Sequence, residues 1–243
     1  MSEMMALATE AGGPRPRKAP RAIRRRQILE ATVESINKHG FADTTLATVA
    51  KLAGISQASL IFHFKTKDAL LIETLRHLSD EYRETWHAVL ADAPEDPITR
   101  ICLLVATDFA PQLCNRKKVA VWAAFWGEAK TRPTYMQICG ARDEERSAAM
   151  AKECAGALEA LALPVEQAPD RAAVIESLND GLWQRLLMEP KGFTRYDGLR
   201  LMFLQLRLLF PQAAEQIEAQ ADKLWRNKWR RRQSAAENRV EDG

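Results

Sequence analysis

The chain has 243 residues, of which 47% are hydrophobic, and it carries a formal net charge of +3. This length suits a compact protein of two subdomains, and no apolar run reaches the roughly 18 residues that a membrane span needs. The cations concentrate near the two ends: residues 14–26 hold seven and residues 223–232 hold six, without any acid. Subtracting these thirteen from +3 leaves −10 for the rest. A basic arm of this kind favours attraction to the phosphates of DNA.

The sequence lacks the motifs that mark enzymes and metal sites. It has no glycine-rich phosphate loop, no nucleophile elbow and no His-Glu-x-x-His. Its N-terminus has no apolar core of a signal peptide. Four widely spaced cysteines form no metal or redox pair, and they are Cys102, Cys114, Cys139 and Cys154. We therefore expect a cytoplasmic protein that is not an enzyme and that has no metal or cofactor.

Helical periodicity runs through the chain, and no segment alternates with period two for long, so we expect an all-α fold. Residues 1–20 are rich in proline and glycine and predict a disordered basic arm. Residues 21–38 predict one amphipathic helix. Its core face consists of Ile28, Leu29, Thr32, Val33 and Ile36.

Two short helices joined by a tight turn are predicted between about residues 44 and 63. Gly40 can take the backbone conformation that ends the preceding helix. Thr44 or Thr45 can cap the first short helix, and Ser56 can cap the second. Gly54 lies where the chain must turn sharply. This is the geometry that presents the second helix to the DNA major groove, although two small core helices would give parts of the same pattern.

The second short helix has a buried edge and an unusual outer face. Leu60 and Phe64 lie one turn apart and would pack inward. The outward residues combine an amide, an imidazole and apolar groups, which suits base edges and thymine methyl groups. They are Gln57, Ala58, Ile61, Phe62 and His63. Lys67 opens the next helix, where an ammonium group can hold a phosphate.

The rest of the chain is predicted to be helical, with prolines between the helices. A long helix is predicted over residues 66–91, and the last two helices before Pro211 carry apolar stripes. The stripes are Val174, Ile175, Leu178, Leu182 and Leu186 in one helix, and Leu199, Met202, Phe203, Leu206, Leu209 and Phe210 in the other. Residues 212–243 predict a basic extension, in which Trp225 and Trp229 lie among cations. It could contact DNA, anionic lipid or a partner, or be a solvated or packed extension.

Aromatic and acidic residues of the second half can form a pocket for a cation. Trp122, Phe125 and Trp126 share one helix face, and Asp180 lies one turn from Trp183. A quaternary ammonium group has no N–H donor and binds ring faces, at about 0.5–2 kcal/mol per contact. The full candidate set is Asp108, Phe109, Trp122, Phe125, Trp126, Tyr135, Asp180 and Trp183. Ordinary core or dimer packing would use the same rings.

The chain resembles the TetR family of bacterial transcriptional regulators. The first match spans roughly residues 23–72 and consists of Gly40-Phe41, Thr44-Thr45, Ala50, Ala53-Gly54-Ile55-Ser56, Leu60, His63-Phe64 and Lys67-Asp68-x-Leu70. Ala58 and Ile61 depart from the pattern, because many members carry Gly and Tyr there, so the family's phosphate contact from that tyrosine does not carry over to Ile61. A second match resembles the C-terminal domain of the family's choline-responsive repressors. It consists of Trp122-Ala-Ala-Phe125-Trp126, Arg142 and Asp180-Gly181-Leu182-Trp183.

The resemblance implies a homodimer that binds a palindromic operator in double-stranded DNA through Thr44, Thr45, Ser56, Lys67 and the outward residues between them. It also implies release by a small effector, choline or a related quaternary ammonium, in control of glycine betaine synthesis. Two alternatives stay open: a TetR-type regulator with a different hydrophobic effector, and a sequence-neutral DNA-binding protein that uses its basic ends.

On this interpretation the chain divides into four parts. The basic arm of residues 1–20 precedes a three-helix DNA-binding head at residues 21–70. Residues 71–211 form a helical domain for effector binding and dimerisation, and residues 212–243 form the basic extension.

Overall fold

A computed structural model of the protein describes residues 21–189 and 191–224. Within these ranges the chain is helical and contains no strand, which confirms the predicted all-α class. The predicted basic arm and the Trp225–Trp229 segment lie outside the described residues. The α-helices are α1 Arg21–Asp43, α2 Leu46–Leu52, α3 Gln57–His63, α4 Lys67–Ala91, α5 Pro97–Asp108, α6 Arg116–Ala129, α7 Pro133–Ala160, α8 Ala168–Met188 and α9 Arg195–Leu209. Short 3-10 turns cover Val165–Gln167 and Pro211–Ala213, and residues 214–224 are helical.

Helices α1, α2 and α3 pack with the start of α4 around a small apolar core. That core consists of Ile28, Leu29, Ala31, Val49, Ala50, Ala53, Leu60, Phe64 and Leu70. The first helix extends beyond the predicted end at Lys38, and its helical geometry is interrupted at Gly40, where φ is +78°. Gly54 has a φ of +63° in the turn before α3, a conformation that a residue with a Cβ adopts rarely. Both glycines therefore interrupt helical geometry where the sequence predicts. Gly40 does so within α1, however, and does not end that helix.

The long helix α4 belongs to two cores at once. It begins after Thr66, whose side chain accepts from the Ala69 backbone N–H at 3.1 Å. Leu70 faces the core of the head, whereas Leu75 and Trp86 belong to the larger core of the body. Val33 of α1 also packs into that larger core, so the head and the body share two helices rather than a single linker.

Helices α5 to α9 form the body. The buried sides of α8 and α9 include Ile175, Leu186, Met202 and Leu206. Most of each predicted stripe is buried, and Val174 is the exposed member of the first stripe. The other outward apolar side chains on these two helices are Met188, Leu204 and Leu208, which lie outside the predicted stripes. Among the described helices, none has the length and apolar character required to cross a bilayer.

Candidate functional site

The short helix α3 is held rigidly on its inner side and is open on its outer side. Ser56 caps it by accepting the Ser59 backbone N–H at 3.1 Å. Leu60 and Phe64 are buried in the head, and the Arg25 guanidinium lies 4.7 Å from the centre of the Phe64 ring. Gln27 of α1 donates to the Ala53 carbonyl at 3.1 Å and ties the turn to the first helix. Each of these contacts fixes the direction in which α3 presents its other side.

The outer side of α3 is solvent-exposed, as the sequence predicts. Gln57 and Ala58 are exposed, and the side chains of Ile61 and Phe62 are 43% and 75% exposed. His63 is half-buried, with its ring edge-on to Phe62 at 5.6 Å. Burial lowers the pKa of His63, and nearby arginines lower it further, so the ring is neutral at neutral pH. These exposed apolar groups contribute to no core, and they make the outer side of α3 a candidate contact surface.

Two arginines that sequence reasoning did not assign complete this surface. Arg21 and Arg24 of α1 line a groove together with Ile55, Ser59 and Phe62. Both belong to the basic run recognised in the sequence. Helical spacing alone did not indicate that α1 directs them toward α3. The groove combines cations with an apolar helix face, which suits phosphate contacts beside base contacts.

Besides Ser56, three of the predicted DNA-binding residues have structural partners. Thr44 is buried, and its hydroxyl donates to the Gly40 carbonyl at 2.8 Å, so we remove it from the contact set. Thr45 is the cap of α2 and accepts the Thr48 backbone N–H at 3.1 Å, although it is exposed. The Lys67 ammonium donates to the Phe41 and Ala42 carbonyls at 3.1 and 2.8 Å. Lys67 therefore fastens the end of α1 and has less freedom to hold a phosphate than the sequence suggests.

A cavity of about 300 Å³ lies in the body between α4, α5, α6, α7 and α8. Four of the predicted effector residues line it, namely Asp108, Trp126, Asp180 and Trp183. Further charged and aromatic residues from the same helices join them, and these are Tyr82, Arg142, Asp143, Arg146 and Glu176. The cavity thus holds four carboxyl groups and two guanidinium groups beside three aromatic rings.

The deep end of the cavity is an interlocked buried network. The Tyr82 hydroxyl donates to one oxygen of Asp108 at 2.7 Å, and Arg146 donates to the other at 3.0 Å. Burial raises the pKa of Tyr82, and the Asp108 charge raises it further. Both partners of the Asp108–Arg146 ion pair are almost fully buried. The two charges neutralise each other, which is the condition under which buried charges are tolerated.

The mouth of the cavity is acidic. Asp180 is exposed on α8, yet its carboxyl pKa is raised to about 6, first because protein atoms displace water around the carboxyl and second because Asp143 lies nearby, while Arg142 acts in the opposite direction. Burial also raises the pKa of Glu176, whereas the Ser147 hydroxyl, which donates to it at 2.6 Å, lowers it. Raised carboxyl pKa values mean that negative charge is disfavoured here, and that a bound cation would relieve this cost.

Aromatic rings form one wall. Trp122 and Trp126 stack one turn apart on α6, with centroids 6.2 Å apart and planes at 28°. Trp183 is buried on α8, and its indole N–H has no hydrogen-bond partner among the described residues. The Arg142 guanidinium lies 4.3 Å from the Trp122 ring centre and 5.3 Å from that of Tyr82. This wall already binds a cation through ring faces, although that cation belongs to the protein.

The remaining predicted effector residues lie elsewhere or behind the cavity wall. Phe125 and Tyr135 pack with Phe41 of α1, at centroid separations of 5.5 and 6.1 Å. Phe109 lies against α9, where a Cβ built on Gly198 would come within 2.4 Å of its ring. Trp122 backs the wall without lining the cavity. We therefore remove Phe109, Phe125 and Tyr135 from the ligand-contact set, because their rings fill helix–helix interfaces.

Two family models match separate parts of the chain. Residues 28–74 match the family of bacterial regulatory proteins called tetR, and residues 97–211 match the C-terminal domain of BetI-type transcriptional repressors. The HTH-type transcriptional regulator BetI of Burkholderia thailandensis is 32% identical over 203 residues, which cover 82% of this chain and all of that protein. BetI of Stenotrophomonas maltophilia is 31% identical over 188 residues, or 77% of this chain and 93% of the relative.

The chain is therefore a transcriptional regulator of the TetR family. Within that family it belongs to the BetI type. Solved structures share the fold. One is a regulator from Pseudomonas aeruginosa PAO1, with a TM-score of 0.70 and 21% identity over 82% of this chain and 96% of that one. Another, from Saccharomonospora viridis, was solved in complex with choline and has a TM-score of 0.68 and 22% identity, covering 75% of this chain and 94% of that one.

Proposed function

We propose that the protein is a dimeric repressor whose α3 helices read a palindromic operator, and that a small quaternary ammonium compound releases it from DNA. The observation that carries the DNA-binding part is the open outer side of α3, where large apolar groups and Gln57 lie exposed on a helix that is capped and buried on its other side. The cavity in the body, with its acidic mouth and ring faces, supports the effector part.

Each exposed group on α3 has a distinct role in this proposal. Gln57 is placed at the first turn and can form a bidentate pair with an adenine edge, and Ile61 and Phe62 can contact thymine methyl groups. Arg21 and Arg24 provide phosphate contacts beside the helix, which fix the register without reading sequence. The His63 ring has one nitrogen that can donate a hydrogen bond and one that can accept, so it can contact a base edge or a phosphate.

The exposed apolar side chains of α8 and α9 support dimerisation. Leu204 and Leu208 lie one turn apart on α9, and Val174 and Met188 lie on α8, which packs against α9. Leaving such a surface in water is unfavourable by about 25 cal/mol per Å², and a second copy would cover it. Pairing also has a functional reason, because two recognition helices on a two-fold axis can contact half-sites about one DNA turn apart.

The chemistry of the cavity favours a cationic effector without N–H donors. Trp126, Trp183 and Tyr82 offer ring faces, and Asp143 with Asp180 supplies negative charge. The match to BetI-type repressors and the choline complex of the Saccharomonospora viridis regulator make choline the first candidate. A role in the control of glycine betaine synthesis follows from that candidate.

Helix α6 provides a physical connection between the effector and the head. Trp126 lines the cavity, whereas the adjacent Phe125 packs on Phe41 of α1. Just beyond α6, Arg132 donates to Asp68 of α4 at 2.9 Å. A ligand that binds one arrangement of α6 more tightly than another shifts the population of head positions. Operator affinity then falls by the same factor by which DNA weakens ligand binding.

The test is fluorescence anisotropy with labelled DNA from upstream of the chain's own gene. A specific regulator should prefer this DNA over scrambled DNA by orders of magnitude, and equal affinity for both would refute operator recognition. Choline, betaine aldehyde, glycine betaine and an apolar drug are then added in turn. Release by choline or a close relative supports the proposed effector class, whereas release by the apolar compound alone refutes it.

A further inference from the structure

The aromatic wall of the cavity contains a complete binding slot for one cation. Trp122 of α6 and Tyr82 of α4 are both buried and face the same guanidinium, at 4.3 and 5.3 Å from their ring centres. Trp126 stacks on Trp122 and borders the cavity beside it. Distances within about 6 Å of a ring centre are those at which a cation is attracted by the ring face.

The protein fills this slot with its own Arg142. The Arg142 side chain is only 11% exposed, although the residue lies on a helix lined with charged residues. Its guanidinium donates two hydrogen bonds to the adjacent Asp143, one of them from Nε at 2.7 Å. Arg142 thus has the ring contacts and the carboxylate contact that the proposed effector would require.

We propose that Arg142 is a built-in occupant of the effector slot and that the effector acts by displacing it, an inference that rests on the proposed function. A quaternary ammonium group entering between Trp122 and Tyr82 replaces the guanidinium, which moves toward solvent at the acidic mouth. Asp143 and Asp180 line that mouth and can receive it.

Displacement gives the ligand a higher affinity for the state in which Arg142 has left the slot than for the state in which Arg142 fills it. A ligand can shift a conformational equilibrium only through such a difference in affinity. The two rings of the slot belong to α4, whose first turns pack into the head core through Leu70, and to α6, which contacts Phe41 of the head through Phe125. When the arginine leaves, both helices lose a flat shared partner and gain a bulkier and rounder one. The occupant also lowers the apparent affinity, because only the fraction of molecules with an empty slot is ready to bind.

Calorimetric titration of choline into wild-type protein and into the Arg142→Ala variant tests the competition. Removal of an occupant that fills the slot most of the time should strengthen choline binding by about threefold to tenfold. Arg185→Ala is the matched control, because Arg185 also lies over a ring, Phe193 at 4.6 Å, and pairs with a carboxylate, Glu189, away from the cavity. Unchanged or weaker binding in Arg142→Ala overturns the inference, since Arg142 would then be neutral or part of the binding site.

A second measurement on the unaltered protein separates displacement from simple charge repulsion. The Nε–H resonance of Arg142, identified by its loss in the variant, should be shifted by the ring current of Trp122 in the free protein. Choline should return it toward the position of exposed arginines. A resonance that stays in place at saturating choline overturns the inference, even if the variant binds more tightly. Failure of choline to bind either protein refutes the proposed function instead, and the displacement proposal falls with it.

Discussion

Acidification should weaken effector binding through Asp180. Its carboxyl pKa is about 6 in the free protein, because burial and the neighbouring Asp143 both disfavour its charge. A cation binds the ionised carboxyl better, so binding lowers that pKa and releases a proton. At about pH 7.5 nearly all molecules carry the charge, whereas at about pH 5 only about a tenth do. Choline affinity should therefore fall about tenfold between these two pH values.

Isothermal titration of choline at both pH values, in buffers of different ionisation enthalpy, measures the affinity and the proton released. Asp180→Asn is the informative variant: it should bind choline more weakly at neutral pH and show a much shallower pH dependence. Glu176, whose pKa is also raised, accounts for the remaining slope. A full tenfold change that persists in Asp180→Asn, or affinity in the wild type that does not vary with pH, would refute this explanation.

Four further variants test separate parts of the protein. Gln57→Ala should change the preferred operator sequence, by about 1–3 kcal/mol at one base pair, and equal loss on every DNA would contradict a reading role. Lys67→Ala should weaken binding to all DNA similarly and lower the free energy of unfolding by about 1 kcal/mol, because it releases the end of α1; a sequence-selective loss would argue against this. Trp126→Ala should abolish the choline response and keep operator binding. Leu208→Asp should give monomers in analytical ultracentrifugation, whereas Met136→Asp, which changes another exposed apolar residue but on α7, should not.

Local signals predicted the boundaries of several elements because they depend on neighbouring residues only. Ser56 and Thr66 cap the helices that follow them, and Gly54 supplies the positive φ of the turn. The burial of Leu60 and Phe64 also followed from their one-turn spacing. These features decide which side of α3 remains exposed, so that side could be predicted from the sequence, whereas the burial of Thr44 and the position of Arg21 and Arg24 beside α3 could not.

The effector cavity could not be predicted in this way, because its lining depends on how five helices cross. Phe125 and Trp126 are consecutive and equally aromatic, yet one packs against the head and the other borders the cavity. Arg146 belongs to a charged stretch that reads as a solvated helix face, and the fold buries it against Asp108. A sequence pattern gives the direction of a side chain relative to its own helix, but the contacts of that side chain depend on which helix packs beside it.

The free-energy cost of disturbing the buried pair at the deep end of the cavity differs from that of moving Arg142 near the mouth, and this difference determines where the ligand can act. Separating the buried Asp108–Arg146 pair would leave an unpaired charge, at a cost of about 3–5 kcal/mol. A ring contact with a cation returns about 0.5–2 kcal/mol, and the effector can gain these contacts without separating the pair, so its binding does not favour opening that network. Arg142 is different. Its departure breaks ring contacts that the incoming cation makes in its place, and its contact with a carboxylate persists near the mouth. The buried network therefore acts as a fixed wall, and the response to the effector begins with Arg142 and Asp180.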